Sequence, residues 1–158
     1  MQTLRPFFEW CDGTTTGQVI RDSRFLFPII ECLHLLALTV LLGSVLVLNL
    51  RLLGAGLRTQ PMPLVARSLD PLTFWSLLAM LTTGWLLFCS EALKCFDSPP
   101  FLVKMVTLFL AIVFHWTVFR PTVNSPAEAA RPRRIATAMV SMILWFGVAV
   151  AGRAIGLY

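Results

Sequence analysis

Long apolar stretches alternate with short polar segments along the chain. The apolar stretches cover about residues 28–50, 71–90, 101–119 and 135–156. Crossing the ~30 Å hydrocarbon core of a bilayer takes roughly 20 helical residues, which is close to the length of each stretch. Because backbone groups in lipid find partners only within their own helix, each stretch is predicted to be a transmembrane helix. The short connections predict an all-α, up-down four-helix bundle over residues 25–158.

The first 24 residues have a different pattern. Aromatic side chains in "FFEW" at 7–10 are followed by the polar "GQVIRDS" at 17–23. Aromatic residues are enriched at the membrane–water interface, so residues 1–24 are predicted to form an interfacial segment. The segment lacks a basic start, an apolar stretch and a small-residue cleavage site, so we do not expect a cleavable signal peptide.

Composition supports the membrane interpretation. The 158-residue chain is 57% hydrophobic and 13% charged, whereas soluble domains are about 45–50% apolar and about 25% charged. The formal charge of +5 is typical of charged loops that contact anionic lipid. No basic stripe suited to nucleic acid occurs, so the expected partners are the bilayer and other membrane subunits.

The distribution of basic residues bears on orientation. Lys and Arg are almost equally divided between the two membrane sides, but they cluster in "RLLGAGLR" at 51–58 and "RPRR" at 131–134. The positive-inside rule then places these two loops in the cytoplasm. We therefore expect a multi-pass protein of a bacterial inner membrane with both termini in the periplasm.

The four cysteines all fall on the side of the termini. If that side is periplasmic, disulfides are permitted there. Four cysteines allow three connectivities, of which Cys11–Cys95 is the more plausible bridge. Cys32 and Cys89 are expected to be small buried residues. Because no Cys-x-x-Cys motif occurs, a zinc or thioredoxin-type site is not expected.

Ionisable residues inside the apolar stretches define a first candidate cluster. Glu31 and His34 stand about one turn apart near the start of the first span, just after Pro28. Lys104 lies early in the third span and Arg153 near the end of the fourth, on the same membrane side. Intramembrane ionisable groups usually face the bundle and pair. Two interpretations stay open: an ion-pair network that fixes helix register, or an outward-facing site for a ligand, proton or metal.

A second polar group is predicted on the opposite side of the membrane. It comprises Asn49, Arg51, His115 and Arg120. Asn49 follows Glu31 by five full turns and shares its helix face, and His115 similarly shares a face with Lys104. The small residues of "TTG" at 82–84 favour close helix packing.

Metal and haem binding are weighed on the same residues. His34 and His115 are the two histidines, on parallel spans, and they are the candidate axial ligands of a haem b. Their expected depths differ by roughly 13–18 Å, which disfavours one shared iron. Copper(I) prefers soft ligands, but the methionines are predicted to be packing residues.

Several segments carry a resemblance to a known family: "EW" at 9–10, "IRDS" at 20–23, "FPIIECLH" at 27–34, "GSVLVLNLRLLG" at 43–54, "SPPFLVKM" at 98–105, "FH" at 114–115 and "AGRAIG" at 151–156. The chain resembles an uncharacterised family of small bacterial four-span integral membrane proteins, distantly similar to the copper resistance D type. Glu31, His34, Arg51, Lys104 and Arg153 lie in the matching segments. Asn49 departs from the family, which is expected to have Asp there more often. The copper-resistance relatives imply metal or haem handling by analogy.

These observations lead to a ranked expectation of function. The leading hypothesis is a membrane subunit of a redox or respiratory assembly, without catalytic activity of its own. Its first cluster would contact a quinone, a cofactor or a partner. The alternatives are a protein that handles copper or haem b, and a structural or assembly protein in which the cluster only fixes helix register.

Overall fold

The computed structural model describes residues 5–55, 60–124 and 130–155, and no strand occurs within these ranges. The predicted all-α fold is confirmed. The helices, in chain order, are α1 (Arg5–Asp12), α2 (Thr15–Asp22), α3 (Leu26–Leu53), α4 (Met62–Ser90), α5 (Ala92–Phe96), α6 (Pro99–Phe114), a π-helical turn (His115–Phe119), α7 (Arg120–Asn124) and α8 (Arg131–Ile155).

Four long apolar helices agree with the four predicted spans. They are α3 with 28 residues, α4 with 29, the continuous helix Pro99–Asn124 with 26, and α8 with 25. Each is long enough to cross the hydrocarbon core. The chain is therefore a multi-pass α-helical membrane protein. The last residue of the predicted fourth span, 156, lies outside the described residues.

The second span begins earlier than predicted. The sequence places its start at about Pro71, where the apolar stretch begins. In the structure α4 begins at Met62, after Pro61, and Pro71 lies inside it. As a consequence Asp70, assigned to a loop from the sequence, is a helical residue.

The outer faces of the spans are strongly apolar. Phe109 is 67% exposed, and Ile143 and Val150 are each 66% exposed. In water such contiguous apolar surface would be unfavourable and prone to association. In a bilayer it contacts lipid chains at no such cost.

The bundle is built from two antiparallel pairs, α3 with α4 and α6 with α8, joined mainly through α3 and α8. Small buried residues such as Ala37, Ala111, Ala138 and Ser141 line the contacts. A Cβ added at Gly147 of α8 would lie 3.1 Å from Thr107 Cγ2 of α6. Such close approach between helices is typical of membrane bundles, where dispersion contacts replace the hydrophobic effect.

The third span contains a π-helical turn. The backbone N–H of Arg120 donates to the carbonyl of His115, five residues earlier. Before the turn α6 packs on α8, and after it α7 packs on α4. The turn therefore lies where this span changes its neighbour.

The N-terminal residues form a helical pair, α1 and α2. The Thr14 side chain caps α2 by accepting a hydrogen bond from Gly17 N–H. Two hydrogen bonds from Arg21 Nη1 to the Asp12 carboxylate, of 3.0 and 2.9 Å, join the two helices. The pair lies against the end of α4. Residues 1–4 of the predicted interfacial segment lie outside the described residues.

Candidate functional site

His34 forms the centre of the first candidate site. Its Nδ1 lies 2.9 Å from the hydroxyl of Thr83 on α4. The ring also packs directly on Gly84, where an added Cβ would lie 3.2 Å from His34 Cε1. Thr83 and Gly84 were noted from the sequence only as packing residues. The structure shows that this pair both binds the imidazole and makes room for it.

The hydrogen bonds of Thr83 indicate the tautomer of His34. The Thr83 hydroxyl donates its one proton to the carbonyl of Ala79 at 2.7 Å or of Met80 at 3.3 Å. A hydroxyl committed in this way accepts from the imidazole, so Nδ1 carries the proton. The other ring nitrogen, Nε2, is then a hydrogen-bond acceptor when the ring is neutral.

Lys104 is the second member of the predicted cluster near this point. It is close enough to His34 to interact with it electrostatically. Its side chain crosses Gly152 of α8, where an added Cβ would lie 3.6 Å from Nζ. Within the described ranges the ammonium group has neither a hydrogen bond nor an ion pair. Lys104 therefore lies within electrostatic range of His34 and has no polar partner among the described residues.

Glu31 and Arg153 lie outside this group. Both side chains are exposed at the bundle surface. Among the described residues the ion pairs are Arg5–Glu9, Arg21–Asp12, Lys94–Glu91 and Arg120–Asp70. The expected ion pairs of Glu31 with Lys104 or Arg153 are therefore not formed.

An apolar groove runs between α3 and α4 and has a volume of about 490 Å³. Its walls include Leu36, Val40, Leu72, Trp75 and Ala79, and Thr83 lies at one end. From Thr83 to Pro71, which also lines it, the groove extends 12 residues along α4, or ~18 Å. The Thr83 hydroxyl thus connects the groove to His34.

The second predicted cluster divides into separate contacts. Arg120 donates to Asp70 Oδ2 from Nη2 at 2.8 Å and from Nε at 3.2 Å. Its guanidinium also lies 4.6 Å from the centre of the Trp116 ring. Arg120 therefore has a carboxylate partner on α4 that was not identified from the sequence. The signal was available in "SLDP" at 68–71, but Asp70 was read as a loop residue.

The remaining members of the second cluster are buried among other residues. His115 is 4% exposed and stacks on Phe119 at 5.2 Å between ring centres. Asn49 is fully buried and donates to Ser141 Oγ at 3.2 Å and to the Val45 carbonyl at 2.9 Å. These polar groups join α3 and the third span to α8.

Arg51 has its own partner near the end of α3. Its Nη2 donates to the carbonyl of Gln60 at 2.7 Å. This bond joins α3 to the segment that precedes α4. Arg51 is thus placed to hold the connection between the first two spans.

All four cysteines are free thiols in the structure, and the Cys11–Cys95 bridge stays a prediction. Cys11 lies on α1, which contacts both α5, with Cys95, and α4, with Cys89, and the Cys11 thiol interacts with that of Cys89. Burial, and the neighbouring Cys89 to a smaller extent, raise the pKa of the Cys11 thiol above its ordinary value. Burial, reinforced by Glu91, raises the pKa of the Cys95 thiol to about 11.

The two histidines do not form a haem site together. His34 binds Thr83 on α4, whereas the His115 ring contacts Trp145 on α8. Counted from the start of α3 and α6, their depths differ by eight residues, or ~12 Å. In the part of the chain that the structure describes, no three His, Cys, Asp or Glu side chains are grouped so as to hold a metal ion.

The fold and these contacts define a four-span membrane protein with a polar site at one end of an apolar groove. Residues 7–158 match the model of the Family of unknown function (DUF6644), so the chain belongs to that family. Neither a curated protein nor a solved structure matches the chain.

Proposed function

We propose that this protein is a non-catalytic membrane subunit of a redox assembly, and that it binds a quinone along the groove between α3 and α4. The quinone head would lie at His34 and Thr83, and its isoprenoid tail would follow the groove. In this proposal the assembly lies in a bacterial inner membrane, other membrane subunits are partners, and both termini face the periplasm.

The observation that carries the proposal is that Thr83, which binds His34, lies at one end of a largely apolar groove. The groove extends ~18 Å along α4 and offers carbon side chains to a tail. Ligand sites are typically apolar with a few polar groups that fix orientation. An amphipathic molecule with a long apolar chain and a compact hydrogen-bonding head matches this arrangement.

The chemistry of the head group follows from the side chains present. His34 Nε2 accepts a hydrogen bond from a quinol hydroxyl when the ring is neutral. The Lys104 ammonium, close to His34, donates to a quinone carbonyl. Both redox forms are therefore accommodated, which suits a binding subunit whose electron donors and acceptors lie on its partners.

Trp75 provides a direct test, because it lines the groove. Titration of a short-chain quinone into the protein in lipid nanodiscs should quench tryptophan fluorescence saturably. Trp75→Phe should remove most of this saturable part, whereas Trp10→Phe, in α1 and outside the groove, should retain it. Quenching that rises linearly without saturation would contradict the proposal.

Two adjacent threonines supply a matched pair for the head-group site. Thr83→Val should weaken quinone binding about 10-fold, as expected for the loss of one buried polar contact. Thr82→Val is the control, since the Thr82 hydroxyl is exposed and donates to the Leu78 carbonyl of its own helix. Equal affinities of the two variants would overturn the placement of the head at His34.

Copper and haem handling gain no support from the described residues. A visible spectrum and metal analysis of the purified protein separate these functions from quinone binding. A Soret band or stoichiometric copper would favour them, and a colourless protein that retains quinone would favour the proposal.

A further inference from the structure

Two buried cysteines meet where the N-terminal helical pair contacts the bundle. Cys11 of α1 is fully buried, and Cys89, near the end of α4, is 5% exposed. Their thiols lie within interaction range of each other. Thr14 lies between the two residues, because its hydroxyl donates to the Cys11 carbonyl at 2.7 Å, and a Cβ added at Gly17 would meet both Thr14 Oγ1, at 3.2 Å, and the Cys89 carbonyl oxygen. The two sulfur atoms are thus neighbours although 78 residues separate them in the chain.

The surrounding packing holds the two thiols in place. Gly17 of α2 lies so close to Cys89 that an added Cβ would overlap the Cys89 carbonyl oxygen. On the other side, the Phe8 ring meets the Phe88 ring edge-on at 5.3 Å between centres. The bidentate Arg21–Asp12 pair joins α1 to α2. The helical pair is therefore one docked unit, and docking itself brings Cys11 to Cys89.

We propose that Cys11 and Cys89 form a disulfide that covalently attaches the N-terminal helical pair to the second span. In the reaction both thiols lose their protons, and one thiolate attacks a protein disulfide of the dithiol–disulfide exchange class. The second thiolate then attacks the resulting mixed disulfide and displaces the exchange protein. The cysteine pair gives up two electrons, and the exchange protein leaves with two thiols.

The other two cysteines are left as thiols in this proposal. Cys32 is exposed on α3, so the expectation from the sequence that it is buried is wrong. Cys95 lies in α5, where its charged neighbours are Glu91, Lys94 and Lys104. Because Cys11 is occupied by Cys89, no thiol remains beside Cys95. The bridge depends on an oxidising compartment at the side of the termini, as the proposed topology provides.

Thiol counting on the intact protein tests the proposal without relying on any variant. Membranes are quenched in acid, denatured and treated with a maleimide–polyethylene glycol that shifts mobility once for each free thiol. The wild-type protein should show two shifts before reduction and four after it. Peptide mapping of unreduced protein should recover a linked peptide pair that contains Cys11 and Cys89. Four shifts before reduction, or a linked pair of Cys11 with Cys95, would overturn the assignment.

Serine variants distinguish the alternatives further. Cys95→Ser should retain the bridge and show a single shift before reduction. Cys11→Ser should show three shifts, with and without reduction, because Cys89 loses its partner. If Cys95→Ser abolishes the linked species, the bridge involves Cys95 and the proposal fails, whatever the result for Cys11→Ser. Quinone binding is measured separately, so the outcome here does not depend on it.

Discussion

The fit between Gly84 and His34 allows a quantitative prediction for Gly84→Ala. The added Cβ would lie 3.2 Å from His34 Cε1, which is shorter than the ~3.5–4.0 Å optimum for two carbons. The ring must therefore move by a few tenths of an ångström. That movement lengthens its 2.9 Å contact with the Thr83 hydroxyl.

Two opposing contributions set the size of the effect. Alanine stabilises a helix interior by about 0.5–1 kcal/mol relative to glycine. Weakening the His34–Thr83 bond removes up to about 0.5–1.5 kcal/mol. The two nearly cancel, so Gly84→Ala should leave the free energy of unfolding almost unchanged. Gly43→Ala is the matched control, because no atom lies within 4 Å of its added Cβ. The control should be stabilised by the full helical contribution.

The comparison uses thermal unfolding in nanodiscs together with the NMR signals of the imidazole rings. The two variants should differ by about 1 kcal/mol, or roughly 2–4 °C in midpoint. The His34 ring signals should shift in Gly84→Ala and stay constant in Gly43→Ala, with His115 as the internal reference. Equal stabilisation of both variants with unchanged His34 signals would refute the proposed contact.

Three further predictions concern other parts of the molecule. Asp70→Asn should lower the free energy of unfolding by about 1 kcal/mol, a small value because the Arg120 side chain that binds Asp70 is 40% exposed. Arg5→Gln is the control and should change the stability little, because the Arg5–Glu9 pair is exposed. Equal losses in the two variants would contradict this prediction. The pKa of the Cys95 thiol is raised to about 11. The rate of its alkylation by iodoacetamide should therefore increase with pH up to about pH 11 in the folded protein. In the unfolded chain, where the thiol has its ordinary pKa of 9.0, the rate should level off near pH 9.0. The unfolded state releases the thiol proton at a lower pH than the folded state, so the free energy of unfolding should fall as the pH rises from about 9 to about 11. Identical alkylation profiles of the folded and unfolded protein would disprove the raised pKa. Gly17→Ala should undock the N-terminal helices and raise the tryptic cleavage rate there several-fold. Gly13→Ala is the control, because its added Cβ meets only main-chain oxygens at the end of α1, the nearer one, of Glu9, at 3.3 Å. Unchanged cleavage of the Gly17→Ala variant would argue against tight docking.

The number of spans was predictable from the sequence because hydrocarbon thickness imposes a length that apolar stretches reveal directly. The start of α4 was not. The apolar stretch begins at Pro71, whereas α4 begins at Met62, directly after Pro61. Nine residues before Pro71 therefore belong to the helix. An apolar stretch marks the part of a helix that lies in hydrocarbon and not the more polar turns before it, so Asp70 was not recognised as a partner of Arg120.

The contacts of the polar residues were harder to predict for a different reason. In a bilayer, lipid is as apolar as the protein interior, so hydrophobicity does not indicate which helix face turns inward. Glu31 and His34 are three residues apart, yet His34 packs on α4 and Glu31 is exposed. Small residues such as Gly84 carry more of that information, because close approach of a neighbour requires them.

The π-helical turn at His115–Phe119 has a consequence for how this span tolerates changes in length. A wide turn of this kind contains one residue more than regular α-geometry needs. Removing one residue within it would restore a uniform helix and leave the residues beyond it almost unrotated. Removing one residue from the regular part of α6 would instead rotate everything beyond by about 100°, which turns Arg120 away from Asp70. Removing a residue from the connection after Asn124 would leave that angular relation intact. A one-residue deletion in the third span should therefore be tolerated at the π-helical turn and not in the regular part of α6.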